Sequence, residues 1–308
     1  MSKRFIIGID LGGTNLKLAL VDLNYGIRDK TILNTRGFIN KEQLIDGVVR
    51  CVKDFIGKNR LSRRDLLGIG LGLPGPIDSQ KGLVHFFPNI PGWKEVKLKA
   101  ILEKKLKLPV FIDNDANLMA LAEFRLGAAR NTINAVCITL GTGVGAGLII
   151  NSALFRGTTF AAGEAGHIPI NENGPKCNCG GRACLETYIG NRRIEAEARR
   201  VFSRNISLEE LSSLARKGNR KAEKIWSSAG RRLGVALTGI VNLLNPDCIV
   251  IGGGVANAGR FIFDTVKQTI LKRAMPVQAR HVKVLKAKLG NDSGLIGAAI
   301  LAREGRRA

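Results

Sequence analysis

The sequence predicts an α/β protein built from two similar halves. A strand–glycine turn–strand unit opens the chain, and a weakened copy of it recurs near residue 140. Helical periodicity alternates with short buried strands through most of the 308 residues. Two such units point to a duplicated fold with a cleft between the halves, the usual place for a ligand.

Each element follows from local pattern. Residues 5–9 form an apolar run that meets Asp10 and then Gly12 and Gly13, and a second apolar run, 16–21, follows at once. A strand, a tight glycine turn and a second strand account for this. Residues 41–57, 97–106 and 116–126 carry helical periodicity, and Leu66–Leu73 and 110–112 read as buried strands. The pattern then restarts. Ala135–Leu140 is apolar and partly β-branched, Gly141, Thr142 and Gly143 make the turn, and 148–150 resumes the strand. Helices are expected near 191–202, 208–217 and 220–244, and a strand at 248–251 ends in Gly252, Gly253 and Gly254. Gly294, Gly297, Ala298 and Ala299 give the last helix one face of small residues, suited to close packing.

Composition narrows the function classes. Hydrophobic residues make up 45% of the chain, as in a globular protein with ample core. No apolar run reaches the length of a membrane span, and the opening MSKR passes directly into FIIGID without a signal-peptide core. A cytoplasmic protein with no membrane partner is expected. The net charge of +23 invites a nucleic-acid hypothesis, but the basic residues are spread along the whole chain and only 5% of residues are aromatic. Solvated helix faces account for the charge better, with some help in attracting anionic substrates, and no nucleic-acid partner is expected.

The most distinctive stretch is GEAGHIPINENGPKCNCGGRACLE, from Gly163 to Glu186. His167, Cys177, Cys179 and Cys184 form a complete tetrahedral set for a structural Zn²⁺, with no open position for water. Such a metal pins a loop and does no chemistry. The pinned loop carries Glu164, His167 and Glu186, polar groups suited to a hydroxyl-rich ligand. The alternative is a disulfide among the three cysteines with His167 an ordinary polar residue. Cys51, Cys137 and Cys248 sit singly in apolar stretches and read as reduced core residues.

Both glycine turns have the makings of phosphate cradles. Glycine lets backbone N–H groups face an anion unobstructed, and Thr14 and Thr142 add hydroxyl donors. Neither turn matches a P-loop or a dinucleotide fingerprint, and each taken singly reads equally as a hairpin. Their pairing favours a nucleotide, with Asp10 placed to serve Mg²⁺ directly or through water. At FIDNDAN, Asp113, Asn114 and Asp115 stand where a strand gives way to a helix. An aspartate there is commonly an N-cap. Phosphoryl transfer to an alcohol, however, needs a carboxylate to take the hydroxyl proton. Strand alternation argues that Asp113 and Asp115 do not share one role, so Asp113 is expected to be structural. GLPGP, with Gly75, and the Pro88-Asn89 pair read as rigid turns lining a pocket.

Taken in order, DLGGTN, GLPGPID, PN, NDAN, LGTGVGAG, GEAGH, CNCGGRACLE and IGGG resemble the ROK family (repressor, open reading frame, kinase), and within it the zinc-containing bacterial glucokinases. The resemblance covers nearly the whole chain, and the cysteine motif is its most specific part. It implies the two-domain actin-like ATPase (hexokinase/ROK) fold with an interdomain cleft. Residues 1–115 with 293–308 would form the smaller domain, and 116–292 the larger domain with the zinc loop. It further implies Asp115 as the base, with Asn114, Asn89, Glu164, His167 and Glu186, and Gly75 beside them, holding the sugar. Asp10, Gly12, Gly13, Thr14, Lys17, Gly141, Thr142 and Gly143 would hold the nucleotide phosphates, with Gly253 and Gly254 beside the adenosine. ATP, Mg²⁺ and structural Zn²⁺ are the implied cofactors, and a homodimer or homotetramer the implied assembly. Glucose, phosphorylated at position 6, is the expected substrate; N-acetylhexosamines and fructose are the rivals, and a catalytically weak sugar-sensing regulator is the rival of another class. The family's repressors carry a helix-turn-helix domain ahead of the kinase fold, and with the first strand at Phe5 none is expected here. One departure is Ala183, where the family commonly has glycine before the last cysteine.

Overall fold

The structure, a computed structural model, describes residues 4–13, 15–34, 38, 40–87 and 92–306. The first stretch runs β1 (Phe5–Leu11), β2 (Asn15–Asp22), β3 (Ile27–Asn34), α1 (Lys41–Lys58), β4 (Leu66–Leu73), β5 (Ile77–Asp78), β6 (Leu83–Phe86) and β7 (Lys94–Val96). Then come α2 (Leu98–Leu106), β8 (Val110–Asn114), α3 (Asp115–Arg125), β9 (Ala135–Leu140), β10 (Val144–Ile150) and β11 (Ala153–Phe155). A helical stretch follows with α4 (Glu186–Ile189), α5 (Asn191–Phe202), α6 (Leu208–Arg216) and α7 (Arg220–Leu244). The chain closes with β12 (Cys248–Gly253), α8 (Arg260–Arg273), α9 (Pro276–His281), β13 (Lys283–Lys286) and α10 (Ser293–Gly305).

Contacts divide the chain into two compact units. One contains residues 1–122, 156–162 and 291–308; the other contains 123–155 and 163–290. The main sheet of the first is ordered β3-β2-β1-β4-β8, and that of the second β11-β10-β9-β12-β13. In each, three antiparallel strands joined by hairpins are followed by two parallel ones. The duplication expected from the glycine turns is therefore present at the level of topology. β1 and β2 pair up to Leu11 opposite Leu16, with Gly12 N donating to Asn15 O at 2.9 Å. β9 and β10 pair up to Leu140 opposite Val144, with Gly141 N donating to Gly143 O at 3.0 Å. β10 starts four residues earlier than its apolar run suggests, because Val144 already pairs with Leu140.

Alternation along the strands makes two layers in the first unit. Ile7 and Ile9 of β1 join Ile69 and Leu71 of β4 and the apolar faces of α1 and α2 in one core. Ile6, on the opposite face, packs with Leu295, Ala299 and Ala302 of α10. In the second unit Val136, Ile138, Ile249 and Ile251 meet Trp226, Leu233 and Leu237 of α7.

The small-residue face of α10 does what its sequence suggests. A Cβ on Gly8 would strike the Leu295 carbonyl, one on Gly70 the Ala298 carbonyl, and one on Gly297 the Leu118 carbonyl. The sheet and α3 thus meet α10 backbone to backbone, which leaves no space for a methyl group. Gly70→Ala is expected to cost about 2 kcal/mol or more, the range for overpacking against atoms that cannot yield. Gly57→Ala in α1, where a Cβ meets nothing within 4 Å, should instead be neutral or stabilise by about 0.5–1 kcal/mol. Urea titration of both variants measures the difference.

Candidate active site and metal centre

In the first unit the hairpin register sets Asp10 opposite Lys17, and the two pair at 3.2 Å. Asp10 also lies against the start of α10, where a Cβ on Gly294 would come 3.0 Å from its carboxyl carbon. Gly12 closes the turn; Thr14 lies outside the described residues.

The β8–α3 junction is organised by Asn114. Its Oδ1 accepts from Ala116 N at 2.9 Å and Asn117 N at 3.3 Å, which is N-cap geometry, and its Nδ2 donates to Gly75 O at 3.1 Å. The cap role open to an aspartate is thus filled by the asparagine. Gly75, at φ 102, presents its carbonyl to Asn114 from a backbone conformation that suits glycine. Asp115 is the first residue of α3, with Oδ1 accepting from Ala116 N at 2.8 Å. Asp113 is a different kind of group. It is only 1% exposed, and its oxygens take Arg156, Asn114 N and Asn117 Nδ2. That is a structural carboxylate. Asn89 lies outside the described residues.

In the second unit two further glycine segments and Asn191 come together. Asn191 N donates to Gly141 O at 2.9 Å, and a Cβ on Gly254 would lie 3.4 Å from the Asn191 amide. Gly253, at φ 88, presses on the Leu140 carbonyl. Gly141, Thr142, Gly143, Gly253 and Gly254 therefore cluster around the start of α5. Sequence reasoning missed Asn191, whose position directly after α4 offered no motif.

Glu186 stands at the other end of the same turn. Its Oε2 accepts from Val144 N at 3.3 Å, and a Cβ on Gly143 would come 2.5 Å from that oxygen. The glycines of GEAGH have a matching reason. A Cβ on Gly163 would lie 2.5 Å from the Ala146 carbonyl, and one on Gly166 would strike the Val144 carbonyl. The loop lies directly on β10, and this contact sets out Glu164 and His167 beside Glu186. Glu164 is half exposed, yet loss of hydration holds its carboxyl above the usual range. His167 opposes that shift and Glu186 adds to it.

The four metal-ligand atoms all lie within 4.8 Å of one another. Cys179 Sγ and Cys184 Sγ are 3.7 Å apart, and Cys177 Sγ and His167 Nδ1 also 3.7 Å. Ligands of one tetrahedral zinc would be separated by about 3.8 Å for two sulfurs and roughly 3.5 Å for sulfur and nitrogen. A disulfide needs about 2.05 Å, and all six cysteines are free. The donor set fits a metal. The loop supplies the turns: Cys177 N donates to Gly181 O, Gly180 N to Cys177 O, and Gly180 takes φ 94. Ala183 also adopts a left-handed φ of 56, a conformation that favours glycine and makes its methyl a local strain. His167 Nε2 faces a Glu164 oxygen at 3.8 Å, leaving Nδ1 for the metal. The thiols have diverging proton affinities. Burial, with bonding from Cys179 and Cys177, pushes Cys184 up to about 12, and burial raises Cys177, whereas the Gly181 N–H lowers Cys179.

Two charged residues engaged in internal bonds carried no sequence motif. Arg156 pairs with Asp113, and Glu123, fully buried, accepts from the backbone N–H groups of Ala128, Lys288 and Leu289. A lone carboxylate in the apolar run ALAEF was the only available signal for Glu123. Among the described residues, no helix is long and apolar enough to cross a membrane.

The duplicated sheets, the glycine turns and the capped aspartate junction are those of an actin-like sugar-kinase fold. The description "ROK family" matches residues 6–305, and the chain belongs to that family. A glucokinase of Halalkalibacterium halodurans is 36% identical, over 99% of this chain and 96% of its own. Among solved structures, a ROK family glucokinase from Streptomyces griseus in complex with glucose and AMPPNP superposes with a TM-score of 0.85. It is 32% identical and matched over 98% of this chain and all of that one. A ROK family transcriptional regulator, a homologue of the E. coli MLC protein, superposes at 0.89 with 27% identity. That match covers 98% of this chain and 78% of the regulator.

Proposed function

We propose that the chain is an ATP-dependent glucose kinase that transfers the γ-phosphoryl group to the 6-hydroxyl. The supporting observation is the β8–α3 junction, where Asn114 takes the cap, Asp113 the buried ion pair, and Asp115 stands as the first residue of α3. Asp115 accepts the hydroxyl proton as the oxygen attacks phosphorus. Asn114 and Asn89, with Glu164, His167 and Glu186, hold the other hydroxyls, and Gly75 sets Asn114 in place. Gly12, Gly13, Thr14, Gly141, Thr142 and Gly143 offer backbone and hydroxyl donors to the phosphates, with Lys17 adding positive charge and Gly253 and Gly254 beside the adenosine. Mg²⁺ would neutralise phosphate charge when bound, with Asp10, already paired to Lys17, meeting it through water. Zn²⁺ on His167, Cys177, Cys179 and Cys184 would fix the sugar loop and take no part in the chemistry. We further propose a cytoplasmic homodimer or homotetramer, checked by light scattering and cell fractionation.

The test is a coupled ADP-release assay with glucose, fructose, mannose, N-acetylglucosamine and N-acetylmannosamine. Turnover greatest with glucose supports the reading, and greatest with an N-acetylhexosamine or fructose reassigns the substrate. No turnover with any sugar favours the sugar-sensing regulator, the second reading that the likeness to a regulator sustains. In the same assay Thr14→Val and Thr142→Val should each raise the ATP KM about fivefold, the worth of one hydrogen bond, and leave the glucose KM nearly unchanged. A rise in the glucose KM alone would place the turns on the wrong ligand.

A further inference from the structure

We propose that Arg156 is a positioning residue for phosphoryl transfer, acting through Asp113 on the strand–helix junction that carries Asn114 and Asp115; this rests on the kinase reading above. Arg156 donates twice to one oxygen of Asp113, from Nε at 2.8 Å and from Nη2 at 2.6 Å. The other oxygen takes the Asn114 backbone N–H at 2.8 Å and Asn117 Nδ2 at 2.9 Å. With the carboxylate 1% exposed, the guanidinium is its countercharge, and the Nε–Nη2 edge suits a geometry that a lysine cannot reproduce. Asn117 lies in the first turn of α3, and Asn114 caps it, its Oδ1 accepting from Asn117 N. Arg156 thus holds that turn from outside it, and Asp115 is part of the turn.

The backbone that delivers Arg156 is fixed as well. The chain enters the first unit at Arg156 and leaves it after Ala162. This excursion is closed by Ala162 N donating to Arg156 O at 3.0 Å, while Gly157, at φ 71, puts its missing Cβ 3.1 Å from the Ala162 methyl. The ion pair is therefore what the excursion brings to the junction. A general base works only within hydrogen-bond reach of its proton, and a displacement of about 1 Å can cost on the order of 10²-fold in rate.

Arg156→Gln, Arg156→Lys, Asp113→Asn and the Arg156→Gln/Asp113→Asn double variant test this with glucose and ATP, well below each melting temperature. Arg156→Gln should lower kcat about tenfold or more with both KM values changed less than about threefold. Arg156→Lys should recover part of the loss. The double variant should turn over faster than Arg156→Gln, because neutralising Asp113 removes the unpaired buried charge. An Arg156→Gln kcat within twofold of wild type overturns the inference, as does a loss that Arg156→Lys and the double variant leave unrelieved. Should Arg156→Gln fail to fold, Arg156→Lys carries the test, with a several-fold drop in kcat supporting the inference and an unchanged kcat overturning it. Wild-type turnover in the same assay separately checks the kinase reading.

Discussion

Asp115→Asn is expected to lower kcat by at least ~10²-fold, the low end for removal of a general base, while glucose binding and fold persist. The junction explains why the fold should persist. The backbone bond from Ala116 N to Oδ1 needs only an oxygen acceptor, which asparagine keeps. The cap belongs to Asn114 and the buried ion pair to Asp113, so neither is disturbed. The carboxylate's ability to take a proton is lost. Stopped-assay kinetics with isothermal titration of glucose separate the two effects: kcat falls and the glucose Kd holds. An Asp115→Asn enzyme with near-normal turnover would falsify the assignment of the base.

Loss of a metal ligand should have the next largest effect. Purified protein is expected to hold about one zinc per chain, one ion for a four-coordinate set. Cys179→Ser is the informative variant because Cys179 is exposed, whereas Cys177 and Cys184 are buried and their replacement would also disturb packing. Metal binding and loop folding are coupled, so the variant should melt lower and its glucose KM should rise about tenfold or more. Saturating glucose should recover part of the turnover if the variant stays folded, since the proposed base lies outside the loop. Metal analysis, thiol titration and circular dichroism belong together here. A folded, zinc-free variant with unchanged glucose affinity would show that the metal does not organise the sugar residues. The raised thiols also set a pH sense. Cys177 and Cys184 must release protons to bind, so zinc uptake by the metal-free protein should strengthen as pH rises and fail first in acid.

Much of this was legible in the sequence because it is local. The glycine turns, the His-Cys₃ set and α5 and α7 depend on neighbours within a few residues, and the helices at 191–202 and 220–244 match their periodicity end to end. Other elements gave no such signal. β5, β6 and β7 are two to four residues long, too short for a period to register. β3 alternates partly buried with exposed residues, many of them charged, so it lacks the apolar face that marks a strand.

The sequence by itself determined the duplicated α/β class, the family and the residue types available for chemistry. Only the tertiary structure decided what each carboxylate is bonded to. Asp113 is tied to Arg156 across 43 positions, and Glu186 to Val144 across 42. In the sequence, strand alternation sets Asp113 and Asp115 apart but names no partner for either. Burial marks Asp113: a carboxylate removed from water must find a countercharge, and the excursion of residues 156–162 brings Arg156 to it. Hydrogen bonding then assigns the cap to Asn114. Such pairings are fixed by the packing of segments distant in the chain, and no local pattern encodes them.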